Sequence, residues 1–73
     1  MKRYVLLRTT YAGHTTYGIG WMETDGHTAV LAECYANLST KSAPVRRLVY
    51  RLNLMRLDPA HLRDAVEDFL AEL

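Results

Sequence analysis

Three segments in the first half of the chain have the residue pattern of β-strands. Residues 3–11, 15–22 and 27–35 are rich in β-branched and aromatic side chains, the last of them less so. Glycine-containing segments separate them at 12–14 and at 24–27. The Asp-Gly pair in the second separator is typical of a two-residue type I′ hairpin. The pattern predicts an antiparallel meander of three strands.

The turns predict which side chains share a face of this sheet, because side chains alternate along a strand. We place Thr24 opposite His27 and assume a three-residue first turn. One face then carries a continuous apolar set: Val5, Leu7, Tyr17, Ile19, Trp21, Val30, Ala32 and Cys34.

The opposite face of the predicted sheet is less polar than a solvent-facing sheet should be. Its members are Tyr4, Leu6, Gly18, Gly20, Met22, Leu31 and Tyr35, together with Arg8 and Glu33. Contiguous exposed apolar patches usually mark interfaces, so we predict that the seven uncharged residues bind a partner. The alternative is a one-residue slip of the first strand, which exchanges Tyr4 and Leu6 with Val5 and Leu7.

Gly18 and Gly20 within the second strand leave two interpretations open. They mark a bulge or twist, or they allow tyrosines or another backbone to approach closely. They are not a phosphate-binding loop, because no helix follows them.

Two helices are predicted after the strands. Residues 36–42 form a loop with Ser39, Thr40 and Ser42 as candidate N-caps, and Pro44 suits a first helical turn. Apolar residues then recur at helical spacing: Val45, Leu48, Val49 and Leu52, then Leu62, Ala65, Val66, Phe69, Leu70 and Leu73. Asp58-Pro59 is the start signal of the second helix, while Asn53 or Arg56 ends the first.

Short helices with a short connection predict an antiparallel αα-hairpin that covers one sheet face. The fold class is therefore α+β, a three-stranded antiparallel meander followed by an αα-hairpin packed on one face (βββαα), with residues 1–73 as a single domain. A core of this size yields little net stability, which favours oligomerisation.

Charge is segregated although the formal net charge is only +1. Residues 41–57 carry five basic and no acidic side chains, whereas residues 58–73 carry five acidic and one basic. The basic helix 41–56 is a candidate nucleic-acid site through Lys41, Arg46, Arg47 and Arg51. The near-neutral total argues against this, and the alternative is that the two helices complement each other.

The sequence contains no recognisable arrangement of catalytic, metal-binding or cofactor-binding residues. His14, His27 and His61 belong to turns or to a helix start, and none has metal-ligand spacing from another histidine or from Cys34. The expected position of Cys34 is the core beside Tyr17. The acidic residues of the second helix occupy an exposed face, which does not shift a carboxyl pKa toward catalysis. We therefore predict no catalytic residue, no cofactor and no enzymatic activity.

Composition indicates an ordinary globular protein, with 49% apolar and 23% charged residues. No apolar run approaches the roughly 20 residues that span a bilayer, so no membrane partner is expected. A single cysteine forms no intramolecular disulfide, and the cytoplasm is therefore the expected compartment.

Several motifs resemble those of a known group of proteins. They are Tyr17-Gly18-Ile19, the spacing of Leu38-Ser39-Thr40 before Val45, and the run from Asp58 to Leu70. Together they resemble a family of short uncharacterised proteins, a domain of unknown function, from anaerobic Gram-positive bacteria. That family shares a YGI strand, a serine before a helix and a PxHLxDxxEDFL-like terminal helix. The resemblance implies no activity, cofactor or catalytic residue.

The sequence thus predicts a small non-enzymatic protein-binding module, a homodimer or an accessory subunit, that uses the second sheet face. The alternative is a small nucleic-acid-binding regulator that uses the basic helix 41–56.

Overall fold

The computed structural model describes residues 1–73 and has the predicted βββαα order. Three antiparallel strands form one open sheet in the order β1-β2-β3, and two helices follow it. The elements are β1 (Lys2–Tyr11), β2 (His14–Thr24), β3 (Ala29–Ser39), α1 (Ser42–Met55), a 3-10 turn (Pro59–His61) and α2 (Leu62–Ala71). The α+β prediction is confirmed.

The turn between β1 and β2 is one residue shorter than predicted. Tyr11 pairs with His14, so only Ala12 and Gly13 form the loop, with φ of 51° and 80°. A two-residue hairpin of type I′ needs positive φ at both positions, and alanine is an unusual first residue there. The shorter turn places Tyr4 opposite Trp21. The register prediction for the first strand is therefore wrong, and the one-residue slip is what the structure has.

The loop between β2 and β3 is longer than the Asp-Gly signal predicts. Thr24 pairs with Ala29 rather than with His27. The reason is the Asp25 carboxylate, which accepts hydrogen bonds from the backbone N–H groups of Thr28 at 2.9 Å and of His27 at 3.0 Å. These bonds lower the pKa of Asp25 and stabilise a wider loop than a type I′ turn.

β3 also changes register twice along β2. One irregularity lies between Trp21 and Met22, and another lies between Tyr17 and Ile19. β3 continues to Ser39, so four of the seven residues of the predicted loop 36–42 are strand. A β-bulge adds residues to one strand only and so turns the following side chains to the other face.

The helices pack on one face of the sheet and enclose the core. Nine apolar residues are buried there: Tyr4, Ile19, Leu38, Val45, Leu48, Leu52, Leu62, Val66 and Phe69.

Two grooves between the helices show their relative direction. One groove joins the start of α1 to the end of α2, at Pro44 and Leu73. Another joins the end of α1 to the start of α2, at Met55 and His61. The helices are therefore antiparallel, as predicted.

The helix ends follow the sequence signals only in part. The Asp58 carboxylate accepts the N–H of Ala60 at 2.9 Å with Pro59 next to it, which confirms that start signal. The N-cap position of α1 is Lys41, which makes no side-chain cap bond, so the three predicted cap residues are wrong. Ser39 instead accepts the Lys41 N–H at 3.0 Å. Neither helix is long and apolar enough to cross a membrane.

Candidate functional site

The sheet face that points away from the helices is the main candidate site, and we call it the outer face. Side chains on this face alternate with those that contact the helices. It is built from three cross-strand rows: Arg3–Met22–Leu31, Val5–Gly20–Cys34, and Leu7–Gly18 beside the β3 irregularity. Its apolar side chains do not pack against the buried core cluster.

The membership of this face differs from the prediction at several positions. Gly18, Gly20, Met22 and Leu31 lie on it as expected. The remaining predicted members, Tyr4, Leu6, Tyr35, Arg8 and Glu33, belong to the helix side, and Val5, Leu7 and Cys34 take their place. Register shifts of one residue in β1 and three in β3 cause the exchange, because any odd shift reverses the face.

Tyr4 is buried and hydrogen-bonded on the helix side of the sheet. It is only 2% exposed, and its phenol donates a hydrogen bond to the Leu57 carbonyl at 2.7 Å. Burial raises the pKa of Tyr4, and the nearby carboxylates of Asp58 and Glu33 raise it further, so the phenol stays neutral. Tyr4 is therefore unavailable to a partner on the outer face.

The centre of the outer face is flat because glycine lies beneath two leucines. A Cβ atom at Gly20 would lie 2.5 Å from Leu31 Cδ1 and 3.3 Å from Leu7 Cδ1, so both side chains lie over this glycine. Leu31 is 41% exposed, and Cys34 is also exposed and free. Arg3 is the one charged side chain in the three rows. The surface is apolar, nearly uncharged and carries one thiol.

Gly18 lies against the backbone of β3. A Cβ atom there would overlap the carbonyl oxygen of Tyr35 and lie 2.8 Å from the Cα of Ala36. Both expectations for the glycines hold at this position, since β3 is irregular here and its backbone approaches closely. Gly18 is thus covered by β3, so the partner surface lies around Gly20.

α1 presents a second candidate surface. The predicted phosphate-binding residues Lys41, Arg46, Arg47 and Arg51 are all exposed. No ion pair joins them to α2, because the one ion pair in the structure links Arg63 and Glu67 within α2. Acidic residues of α2 only line the same grooves as Arg51 and Arg47. The predicted charge complementarity therefore does not take the form of direct ion pairs.

Two members of this α1 surface were not predicted from the sequence. Tyr50 and Leu54 are each 70% exposed and lie beside Arg46, Arg47 and Arg51 around an open cavity of about 480 Å³. Tyr50 lies four residues after Arg46 and Leu54 four residues after Tyr50, and this spacing was the available signal, since residues four apart share a helix face.

Comparison with known protein families shows to which family the chain belongs. The sequence profile of DUF6514, described as a family of unknown function, matches residues 2–72. The chain belongs to this family. The match confirms the resemblance to a family of uncharacterised proteins. Neither a curated protein nor a solved structure matches the chain.

The three histidines and the cysteine of this DUF6514 chain are exposed. His14 lies at the start of β2 beside the first turn, His27 lies in the second turn and His61 lies at a helix start, and all three are exposed, as predicted. Cys34 is exposed, so its predicted core position is wrong, and the reason is the β3 register. No group of three His, Cys, Asp or Glu side chains lies close enough to hold a metal ion.

Proposed function

We propose that this DUF6514 chain is a non-enzymatic interaction module and that a second copy packs against its outer face. The observation that carries the proposal is the apolar outer face around Gly20, which no helix covers and on which Leu31 and Cys34 are exposed and the other apolar side chains are half-buried. Exposed patches of this kind on small proteins usually mark interfaces. The proposal keeps the predicted Gly20, Met22 and Leu31 and adds Val5 and Leu7.

Two features favour a second copy over a different partner. The outer face has almost no charge, so it suits another apolar surface better than a charged one. The core contains only nine buried residues, and a domain this small gains stability by burying a further face. A two-fold axis that lies between two outer faces would stack identical surfaces, and two-fold symmetry is the commonest symmetry of homo-oligomers.

Leu31→Lys is expected to abolish self-association while leaving the fold intact. The new charge would be buried in the interface of the dimer but lies in water in the monomer. Light scattering over a concentration series measures the mass. Leu70→Lys is the matched control, because Leu70 is 46% exposed but lies on α2.

Alkylation of Cys34 is an independent test of self-association through the outer face. It is the only cysteine and lies on the outer face, so a maleimide should block self-association as Leu31→Lys does. A wild-type chain that stays monomeric at millimolar concentration, or a dimer that persists with lysine at position 31, would overturn the proposal.

A nucleic-acid-binding regulator is the second candidate function. The observation that favours it is that Lys41, Arg46, Arg47 and Arg51 are exposed and have no ion-pair partner. Counterion release would make such binding strongly dependent on salt.

Arg47→Ala and Arg51→Ala are each expected to weaken nucleic-acid binding and to reduce its salt slope by about one, since each removes a phosphate contact. Fluorescence anisotropy with a labelled duplex and a labelled single strand measures both quantities. Arg63→Ala is the control, because Arg63 already pairs with Glu67. Absence of binding even at low salt would eliminate this candidate.

We also propose the cytoplasm of anaerobic Gram-positive bacteria as the site of action. The single cysteine supports the compartment, and the motif resemblance supports the source. Recovery of the protein only from the secreted fraction of such cells would contradict the compartment.

A further inference from the structure

The solvent-facing side of α1 carries an aromatic ring among arginines. One open cavity of about 480 Å³ is lined by Arg46, Arg47, Tyr50, Arg51 and Leu54, and no acidic side chain lines it. Residues three and four apart are neighbours on a helix surface, so Arg46 and Arg47 lie one turn before Tyr50. The ring of Tyr50 is therefore surrounded by guanidinium groups from its own helix.

The ring of Tyr50 has no role in the packing of the fold. The residue is 70% exposed and neither belongs to the buried core nor packs against it. The one pair of packed aromatic rings in the chain joins Tyr4 and Trp21, so Tyr50 is unstacked. An exposed ring offers a face to a nucleic-acid base, and arginines beside it offer donors to the phosphates.

The acidic residues of α2 lie on one flank of this surface only. Asp64 and Asp68 line a groove with Arg51, and Glu72 lines a groove with Arg47 and Arg51. Both grooves lie between the two helices, whose axes are about 8–10 Å apart in such packing. The side of α1 toward α2 therefore faces carboxylates, whereas α1 itself contains no acidic residue.

A duplex on this surface would meet those carboxylates. A helix that binds a duplex lies in the major groove, which is about 12 Å wide and has a phosphate backbone along each side. With α1 in the groove, one backbone would lie along α2, where its phosphates and the carboxylates repel each other. A single strand has only one backbone. It can follow the flank of Arg46, which lines neither of the grooves toward α2.

We propose that the α1 surface binds single-stranded nucleic acid in preference to a duplex, with a base stacked on Tyr50 and phosphates held by the three arginines around it. Leu54, one turn after Tyr50 and also 70% exposed, adds an apolar contact for a base. This inference rests on the second candidate function above and specifies its ligand.

Fluorescence anisotropy at low salt tests the preference with three labelled probes: an oligothymidylate, the same strand annealed to oligodeoxyadenylate, and an oligouridylate of equal length. At least one single strand should bind about tenfold more tightly than the duplex, and the two single strands separate DNA from RNA as the ligand. Equal binding of strand and duplex, both weakened by Arg47→Ala, would overturn the preference but leave the nucleic-acid function standing. Absence of binding to every probe would overturn both.

Tyr50→Ala is expected to weaken single-strand binding about tenfold, the loss of one stacked base. Tyr50→Phe should keep the affinity, because a phenyl ring also stacks. Tyr11→Ala is the matched control, since Tyr11 is 82% exposed but ends β1. Unchanged affinity in Tyr50→Ala, or an equal loss in Tyr11→Ala, would overturn the role of this ring.

The double variant Asp68→Asn, Glu72→Gln tests the role of α2. Removal of these two exposed charges should strengthen duplex binding about fivefold at low salt and change single-strand binding less, because only the duplex reaches α2. Unchanged duplex binding in this variant would contradict the repulsion from α2 as the cause of the preference.

Discussion

Replacing Gly18 by alanine is expected to lower the free energy of unfolding by about 3 kcal/mol, the upper end for forcing extra volume into a packed site. The added Cβ would overlap the Tyr35 carbonyl oxygen and lie 2.8 Å from the Cα of Ala36. Both atoms belong to the main chain, so no side-chain rotation relieves the clash. β3 would have to separate from β2 at its irregular segment.

Gly20→Ala is the matched control for this substitution. It lies two residues away on the same strand and face, but its new Cβ would meet the ends of the Leu31 and Leu7 side chains. These ends rotate away, so we expect a loss of about 1 kcal/mol or less. Urea unfolding followed by Trp21 fluorescence and circular dichroism measures both variants. Equal losses would show that close approach of the β3 backbone is not the reason for glycine at position 18.

Asn53→Ala is expected to lower the free energy of unfolding by about 2 kcal/mol, because two part-buried backbone groups lose their partner together. The Asn53 side-chain amide accepts the Tyr4 N–H at 2.7 Å and donates to the Tyr4 carbonyl at 2.9 Å. β1 is an edge strand, so no neighbouring strand bonds these groups. The amide of Asn53 thus takes the place of a strand at this point of the edge.

Leu54→Ala is the control for this experiment. Leu54 follows Asn53 on α1 and is 70% exposed, so its truncation should change stability by about 0.5 kcal/mol or less. Hydrogen exchange at the Tyr4 amide adds a local readout, because that proton should exchange much faster in Asn53→Ala alone. If Tyr4 stays protected in Asn53→Ala, the amide bridge does not hold the edge of β1.

Signals that depend on neighbouring residues predicted the secondary structure well. The apolar stripe from Val45 to Leu52 is buried as its helical spacing requires, and Asp58-Pro59 starts the last helical segment. Each depends on contacts within one or two turns of the same helix, so the residues involved are close in the sequence. The three strands were identified for the same reason, with ends that differ by up to four residues.

The candidate sites could be predicted only in part, because they depend on pairing between segments. Met22 and Leu31 were placed on the correct face, since β3 is shifted there by an even number of residues. Tyr4 and Tyr35 were not, since their shifts are odd.

The sequence by itself determined that this DUF6514 chain is a three-stranded meander followed by two amphipathic helices, with charge segregated between them. The tertiary structure alone decided which sheet face is covered and where Cys34 points. The physical reason lies in a few backbone conformations, such as the positive φ of Ala12 and the irregularity of β3 opposite Trp21 and Met22. Each changes the register by one residue, and in a sheet an odd change reverses every side chain that follows.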